Sequence, residues 1–230
     1  MLVGFLVEGW DHEIVRAYLA KLLEVPEEEL EPDWIDSPGR GWQFVLDMVP
    51  RALRRFYGKC AQFCVVGTDN DGKRDVRGQS PAEDPLRPRH WIHAAEGPLP
   101  NCRWCQLQGA VAATRPALHW LPQKPGGLWP ILVMVPVECI EAWLLATQAI
   151  RQPGQGSHQA EAELRFEFKQ RFYGKPQAAR RDVQATALPL IRSMGLEDVA
   201  QLRQSCHSFN QFAAQVVLHR DAILGPRECW

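Results

Sequence analysis

No apolar run in the 230-residue chain approaches the ~20 residues that cross a bilayer; the longest uncharged one, around GLWPILVMVPV, falls well short, so no membrane partner is expected. Charge of one sign is also lacking. With 26 Lys and Arg against 27 Asp and Glu the formal net charge is −1, so nothing attracts the whole chain to nucleic acid or an anionic surface, and any such contact needs a local patch. There is no Gly-rich Walker loop and no dinucleotide fingerprint, which removes the motifs of ATP hydrolysis. The opening MLVGFLVEGW has no basic n-region and meets Glu8 too early for a signal peptide. Repeats and low-complexity tracts are absent too. The seven cysteines are an odd number in a chain large enough to bury a core without disulfide staples. A reducing, cytoplasmic setting is the expectation.

What is present is an alternation of buried strands and amphipathic helices. LVGFLV (2–7) is a continuous apolar run, and DHEIVRAYLAKLLEV behind it sets Ile14, Val15, Tyr18, Leu19, Leu22 and Leu23 at helical spacing. Residues 28–41 are acidic and turn-rich; 42–56 reads as a helix that Pro50 kinks or restarts. CAQFCVVG (60–67) gives a second strand and ILVMVPV (131–137) a third, with a helix over 138–150 behind it. Between these lie a polar inserted loop, 73–100, and a helix from Cys102 to about Thr114. RQPGQGSHQ (151–159) reads as a linker, followed by helices near 158–172, 178–194, 196–204 and 207–219 and no strand. The expected fold class is α/β: a parallel-sheet core over 1–150 with helices on both faces, then a helical C-terminal region over 151–230.

Each expected strand runs into carboxylates: Glu8 after the first, Asp69 and Asp71 after the second, Glu138 and Glu141 after the third. In a parallel sheet these ends share one edge. Like charges a few ångströms apart cost on the order of a few kcal/mol at moderate effective dielectric unless something offsets them. A divalent cation does so, and an all-oxygen donor set suits Mg²⁺ or Mn²⁺. Glu138 and Glu141, three apart in a first helical turn, share a face. Taken singly, each element has an ordinary reading: Asp69-Asn70-Asp71-Gly72 is turn chemistry, and glutamates favour helix starts. An EF-hand is excluded, since counting from Asp69 the glycine stands at position ~4 rather than ~6, and Ser80 occupies the place of the closing glutamate.

In order, FLVEG, VVGTDNDG and VMVPVECIEAWLLA resemble a TOPRIM-type domain, with its glutamate after the first strand and its Asp-x-Asp after a later one. The relatives it is most similar to in kind are the OLD-family (overcoming lysogenization defect) nuclease domains and a small bacterial TOPRIM-related family of unknown function; CHSFNQFAAQVV (206–217) is similar to that smaller family's C-terminal segment. The resemblance implies metal-dependent hydrolysis of phosphodiesters in DNA or RNA. Glu8 would be the catalytic acid/base or a ligand, and Asp69, Asp71 and Glu138 or Glu141 the Mg²⁺ ligands. It further implies an effector of a bacterial defence module acting with an ABC-class ATPase. One departure stands out: OLD-type domains carry an acidic residue four positions after the first glutamate, where this chain has His12 between Asp11 and Glu13. Asp11 reads as an N-cap. With three tyrosines, Tyr18, Tyr57 and Tyr173, and a short chain, hydrolysis is a better expectation than strand passage.

RHWIHAAEGPLPNCRWCQLQ (89–108) holds His90, His93, Cys102 and Cys105, the ligand types of a closed structural Zn²⁺ site; alternatively Cys102 and Cys105 straddle one turn of an ordinary helix. It does not match the zinc-deaminase signature, because His93 is followed at three, not two, positions by Glu96 and Pro100 is separated from Cys102. RFEFKQRFYGKPQAARR (165–181) interleaves basic and aromatic residues, as a nucleic-acid contact does, or as a helix with a buried aromatic face does. Two other functions use the same features: a non-catalytic binding or regulatory protein on this fold, and a metal-dependent phosphatase.

Overall fold

The structure, a computed structural model, describes residues 1–9, 11–35, 41–69, 102–118, 129–136, 139–152, 165–176 and 178–225. Asp71, the loop 73–100 with His90 and His93, Glu138, and most of the expected linker lie outside them. Four strands form one sheet: β1 Leu2–Leu6, β2 Glu31–Trp34, β3 Phe63–Gly67 and β4 Ile131–Met134, ordered β2-β1-β3-β4 and parallel throughout. Helix α1 (Asp11–Leu23) follows β1, α2 (Trp42–Gly58) follows β2, α3 (Arg103–Leu118) precedes β4, and α4 (Glu141–Arg151) follows it. The C-terminal region adds α5 (Arg165–Tyr173), α6 (Arg180–Asp182), a π-helical stretch Val183–Ala187, α7 (Leu188–Arg192), α8 (Leu196–Ser205), α9 (His207–Leu218) and α10 (Arg220–Leu224). Among the described residues no helix is long and apolar enough to cross a membrane.

Strand alternation assigns the two faces. Val3, Phe5, Phe63, Val65, Leu132 and Met134 point to the side built by α1, α4 and the C-terminal helices. Leu6, Cys64, Val66, Ile131 and Val133 point to the side covered by α2 and α3. The result is a three-layer α/β fold, as expected. Phe56 of α2 packs so closely on β1 that a Cβ at Gly4 would sit 2.3 Å from its ring. The C-terminal helices are a layer of the main core: Phe209 and Phe212 of α9 and Leu202 of α8 join the cluster that holds α1 and the sheet.

Three expectations are refined. The stretch 28–41, read as acidic and turn-rich, contains β2, whose Pro32 is tolerated because among the described strands β2 is an edge strand paired with β1 alone. Helix α2 runs through Pro50 without restarting. The helix expected over 178–194 is interrupted by the π-helical stretch.

The opposite edge, β4, is closed by a side chain. Gln215 of α9 accepts from the Val133 N–H at 2.9 Å and donates to the Val133 carbonyl at 2.8 Å, completing the outward-facing backbone pair that an edge strand leaves open. Gln215→Ala is expected to cost about 1–3 kcal/mol, because it strands two partly buried backbone groups. At this chain length that is ~2–4 °C of melting temperature per kcal/mol. A thermal unfolding curve unchanged from wild type refutes the edge-closing role.

Candidate metal centre at the carboxyl edge of the sheet

In the order β2-β1-β3-β4 the chain crosses from β1 to β2 in one direction and reaches β3 and β4 in the other, so the switch point lies between β1 and β3. Ligands of open parallel sheets gather at the carboxyl ends beside that point. Glu8 and Asp69 leave the sheet there. Leu6 pairs with Val66 in register, which brings Glu8 opposite Thr68 two residues on. The Glu8 Oε1 accepts hydrogen bonds from the Thr68 hydroxyl and, at 3.2 Å, from the Asp69 backbone N–H. Both carboxylates are buried.

Gly9 turns the chain out of β1 at φ +53°, a left-handed conformation that glycine adopts without strain. The Asp11 N–H then bonds the Glu8 carbonyl at 3.2 Å. This start fixes the phase of α1. Asp11 faces the acidic group: its pKa is held well above the ordinary carboxylate value, first by burial, then by repulsion from Asp69 and Glu141, with Lys169 opposing and Glu8 adding a further push. His12, about 100° further round the helix, turns the other way and stacks on Trp34 with ring centroids 4.9 Å apart and planes 10° from parallel. Burial lowers the His12 pKa despite Glu13 beside it. Glu13 pairs with Arg180 at 2.6 Å. Asp11 thus faces the acidic group, and His12 is turned away from it.

Glu141 arrives from the first turn of α4 and is buried. Its Oε1 lies 3.7 Å from the Lys169 Nζ of α5, and its Oε2 is enclosed with no hydrogen-bond partner among the described residues. The buried Cys139 thiol bonds Glu141 and is pushed up by burial and then by Glu141 and Asp69. Tyr173, also of α5, has its hydroxyl enclosed and its pKa raised, by burial first and then by Glu141 and Asp11; it stays a neutral donor. Arg103 at the start of α3 is buried, donates to the Asp69 carbonyl, and lies 5.1 Å from the ring centre of Trp42.

Of the carboxylates expected to share this edge, Glu8, Asp69 and Glu141 lie near enough to Asp11 to oppose its ionisation, while Asp71 and Glu138 lie outside the described residues. Sequence reasoning missed Asp11, Thr68, Lys169 and Tyr173. Spacing alone does not single out Asp11 from its neighbours His12 and Glu13, and nothing local tied the others to this edge. The donor set is hard oxygen, and the enclosed Oε2 of Glu141 together with the repulsion on Asp11 leaves negative charge that a divalent cation would neutralise. Among the described residues, however, no three His, Cys, Asp or Glu side chains close tightly enough to hold an ion by themselves.

For the expected zinc site, Cys102 is buried just before α3 and Cys105 half-buried in its first turn; its histidines fall outside the described residues. In the 165–181 stretch, Phe168 and Phe172 are buried in the core, Lys169 turns to Glu141, and Lys175 pairs with Asp182 at 2.7 Å. No protein-family model, no curated protein and no solved structure matches the chain.

Proposed function

We propose that the chain is a Mg²⁺- or Mn²⁺-dependent nuclease of TOPRIM-like type that hydrolyses phosphodiesters in DNA or RNA. The observation that carries this reading is the convergence of Glu8, Asp11, Asp69 and Glu141 at the switch-point edge, close enough that Asp11 resists ionisation. Glu8, Asp11, Asp69 and Glu141, with Asp71 and Glu138, are the residues that would hold the ion. The bound ion supplies polarisation of the phosphate and a more acidic water. The chain's own groups do the rest. Thr68 and the Asp69 N–H fix the Glu8 carboxylate so that one oxygen remains to take or give a proton. Lys169 puts a cation within the acidic group where phosphate charge would arrive, and Tyr173 offers a neutral hydroxyl beside it.

On the resemblance alone, the nuclease acts in the cytoplasm as the effector of a bacterial defence module with an ABC-class ATPase. A second reading, a non-catalytic binding protein on the same fold, is favoured by the lack of a closed three-residue ligand set among the described residues. Incubating plasmid, single-stranded DNA, tRNA and small phosphate esters with Mg²⁺ or Mn²⁺ separates these. The nuclease reading expects cleavage of a polymer that falls to background in Glu8→Ala, with Mn²⁺ raising the melting temperature of wild type by mass action. Ester hydrolysis alone points to a phosphatase. No cleavage and no melting shift leaves the binding protein.

A further inference from the structure

A cleft of about 240 Å³ opens between α1, β2 and the π-helical stretch, on the side of α1 to which His12 turns. One wall is the His12 and Trp34 stack; Trp34 ends β2 and is 39% exposed although one ring face is covered by His12. Facing it are Arg16, Arg180 and Arg192, set against Glu13 and Glu27. The guanidinium-bearing chains of Arg180 and Arg192 are 49% and 54% exposed, whereas the two glutamates are 12% and 15% exposed. What faces solvent is therefore predominantly cationic. Inside, the Arg16 Nε and the Glu13 Oε2 are enclosed without a hydrogen-bond partner among the described residues, an unmet donor and acceptor in the same wall. π-Helical turns often mark functional sites, and Gln184 of this one lines the cleft.

An exposed indole resting on a second ring, opposite half-exposed arginines, is the arrangement that takes a nucleobase on the ring and a phosphate on the guanidinium groups. The position agrees. His12 follows Asp11 directly, and Trp34 ends β2 in register with Phe5 of β1, so one end of the cleft reaches the carboxyl end of the sheet, from which Glu8 also emerges. We propose that this cleft binds a nucleotide of single-stranded nucleic acid flanking the phosphate that is hydrolysed by water at the acidic group. This rests on the nuclease reading for its substrate, but not for its test.

The test is binding of a fluorescein-labelled single-stranded 12-mer to the full chain in EDTA, where metal-dependent cleavage is silent, read by anisotropy. Trp34→Ala is expected to weaken binding about tenfold or more, and Trp34→Phe to retain it within about threefold, since a phenyl ring still stacks. Arg180→Ala is expected to lower the slope of log affinity against log salt by about one. Wild-type affinity in both Trp34→Ala and Arg180→Ala, or no binding by wild type, overturns the proposal. Cleavage by wild type with Trp34→Ala binding unchanged sinks the cleft and leaves the nuclease reading. Trp34-dependent binding with no cleavage in Mg²⁺ or Mn²⁺ does the reverse.

Discussion

Without divalent ions, Asp11→Asn is expected to melt above wild type, and with Mg²⁺ or Mn²⁺ to cleave about 10²–10³-fold more slowly, the scale of losing one charged group from a preorganised site. Both effects have one cause. Asp11 stands among Asp69, Glu141 and Glu8, and its ionisation is resisted by burial and then by those charges. An amide of the same shape removes the repulsion and, with it, one of the groups proposed to hold the ion. The pH dependence has a definite sign. A carboxyl whose folded pKa is raised binds its proton in the native state at pH values where the unfolded chain has released it. Metal-free stability therefore increases as pH falls through the raised titration toward the ordinary value of 3.8. Asp11→Asn abolishes that part of the profile. Glu27 works oppositely: its pKa is lowered, foremost by the Arg192 hydrogen bond, so its contribution is complete above 4.5 and is lost as pH falls through its folded pKa. The Asp11 effect is cleanest above that point. Saturating Mn²⁺ should erase it, because a bound cation reverses the sign of the local field. A metal-free wild type whose melting temperature is flat with pH above 4.5, or an Asp11→Asn variant that melts lower and cleaves normally, refutes the assignment of Asp11 to the cluster.

Why Asp11 escaped notice is a matter of helix phase. The sequence places Asp11, His12 and Glu13 in consecutive positions, and which of them faces the sheet edge depends on where the first turn begins. That start is set by Gly9 and the bond from Asp11 N–H to the Glu8 carbonyl, a three-dimensional detail that a spacing rule cannot supply. The buried strands were legible for the opposite reason: LVGFLV, CVVG and ILVM are apolar on both faces, which only a sheet covered on both sides demands. β2 offers no such run. Glu31-Pro32-Asp33-Trp34 is held by pairing with β1 and by ion pairs from Arg55 and Lys59 to Asp33, and its solvent-facing composition hid it. Lys169 and Tyr173 were visible as residues of a basic, aromatic helix. Their turn toward Glu141 follows from burying Phe168 and Phe172, and sequence pattern says that such a face is buried without saying against what.

Trp143→Ala is the substitution expected to cost most in stability, about 3–5 kcal/mol, against a typical total of about 5–15 kcal/mol for a domain. The Trp143 side chain is wholly buried and belongs to the core. Its ring meets Tyr18 of α1 at 5.9 Å and Phe209 and Phe212 of α9 at 5.2 and 5.8 Å, and its indole N–H donates to Ser208 at 2.8 Å. Tyr18 in turn bonds Thr147 of α4 at 2.8 Å. One side chain thus joins α1, α4 and α9, the helices that carry Asp11, Glu141 and the Gln215 edge clamp. Removing it opens a cavity too central for neighbours to fill and loosens the first turn of α4, so activity should fall with stability. Trp143→Phe separates the two roles: it keeps the aromatic contacts, loses the bond to Ser208, and is expected to cost roughly 1–3 kcal/mol with cleavage retained. Urea unfolding at unchanged slope measures both. A loss below about 1 kcal/mol in Trp143→Ala, or a Trp143→Phe protein that is stable but inactive, would move this tryptophan from the core to the site.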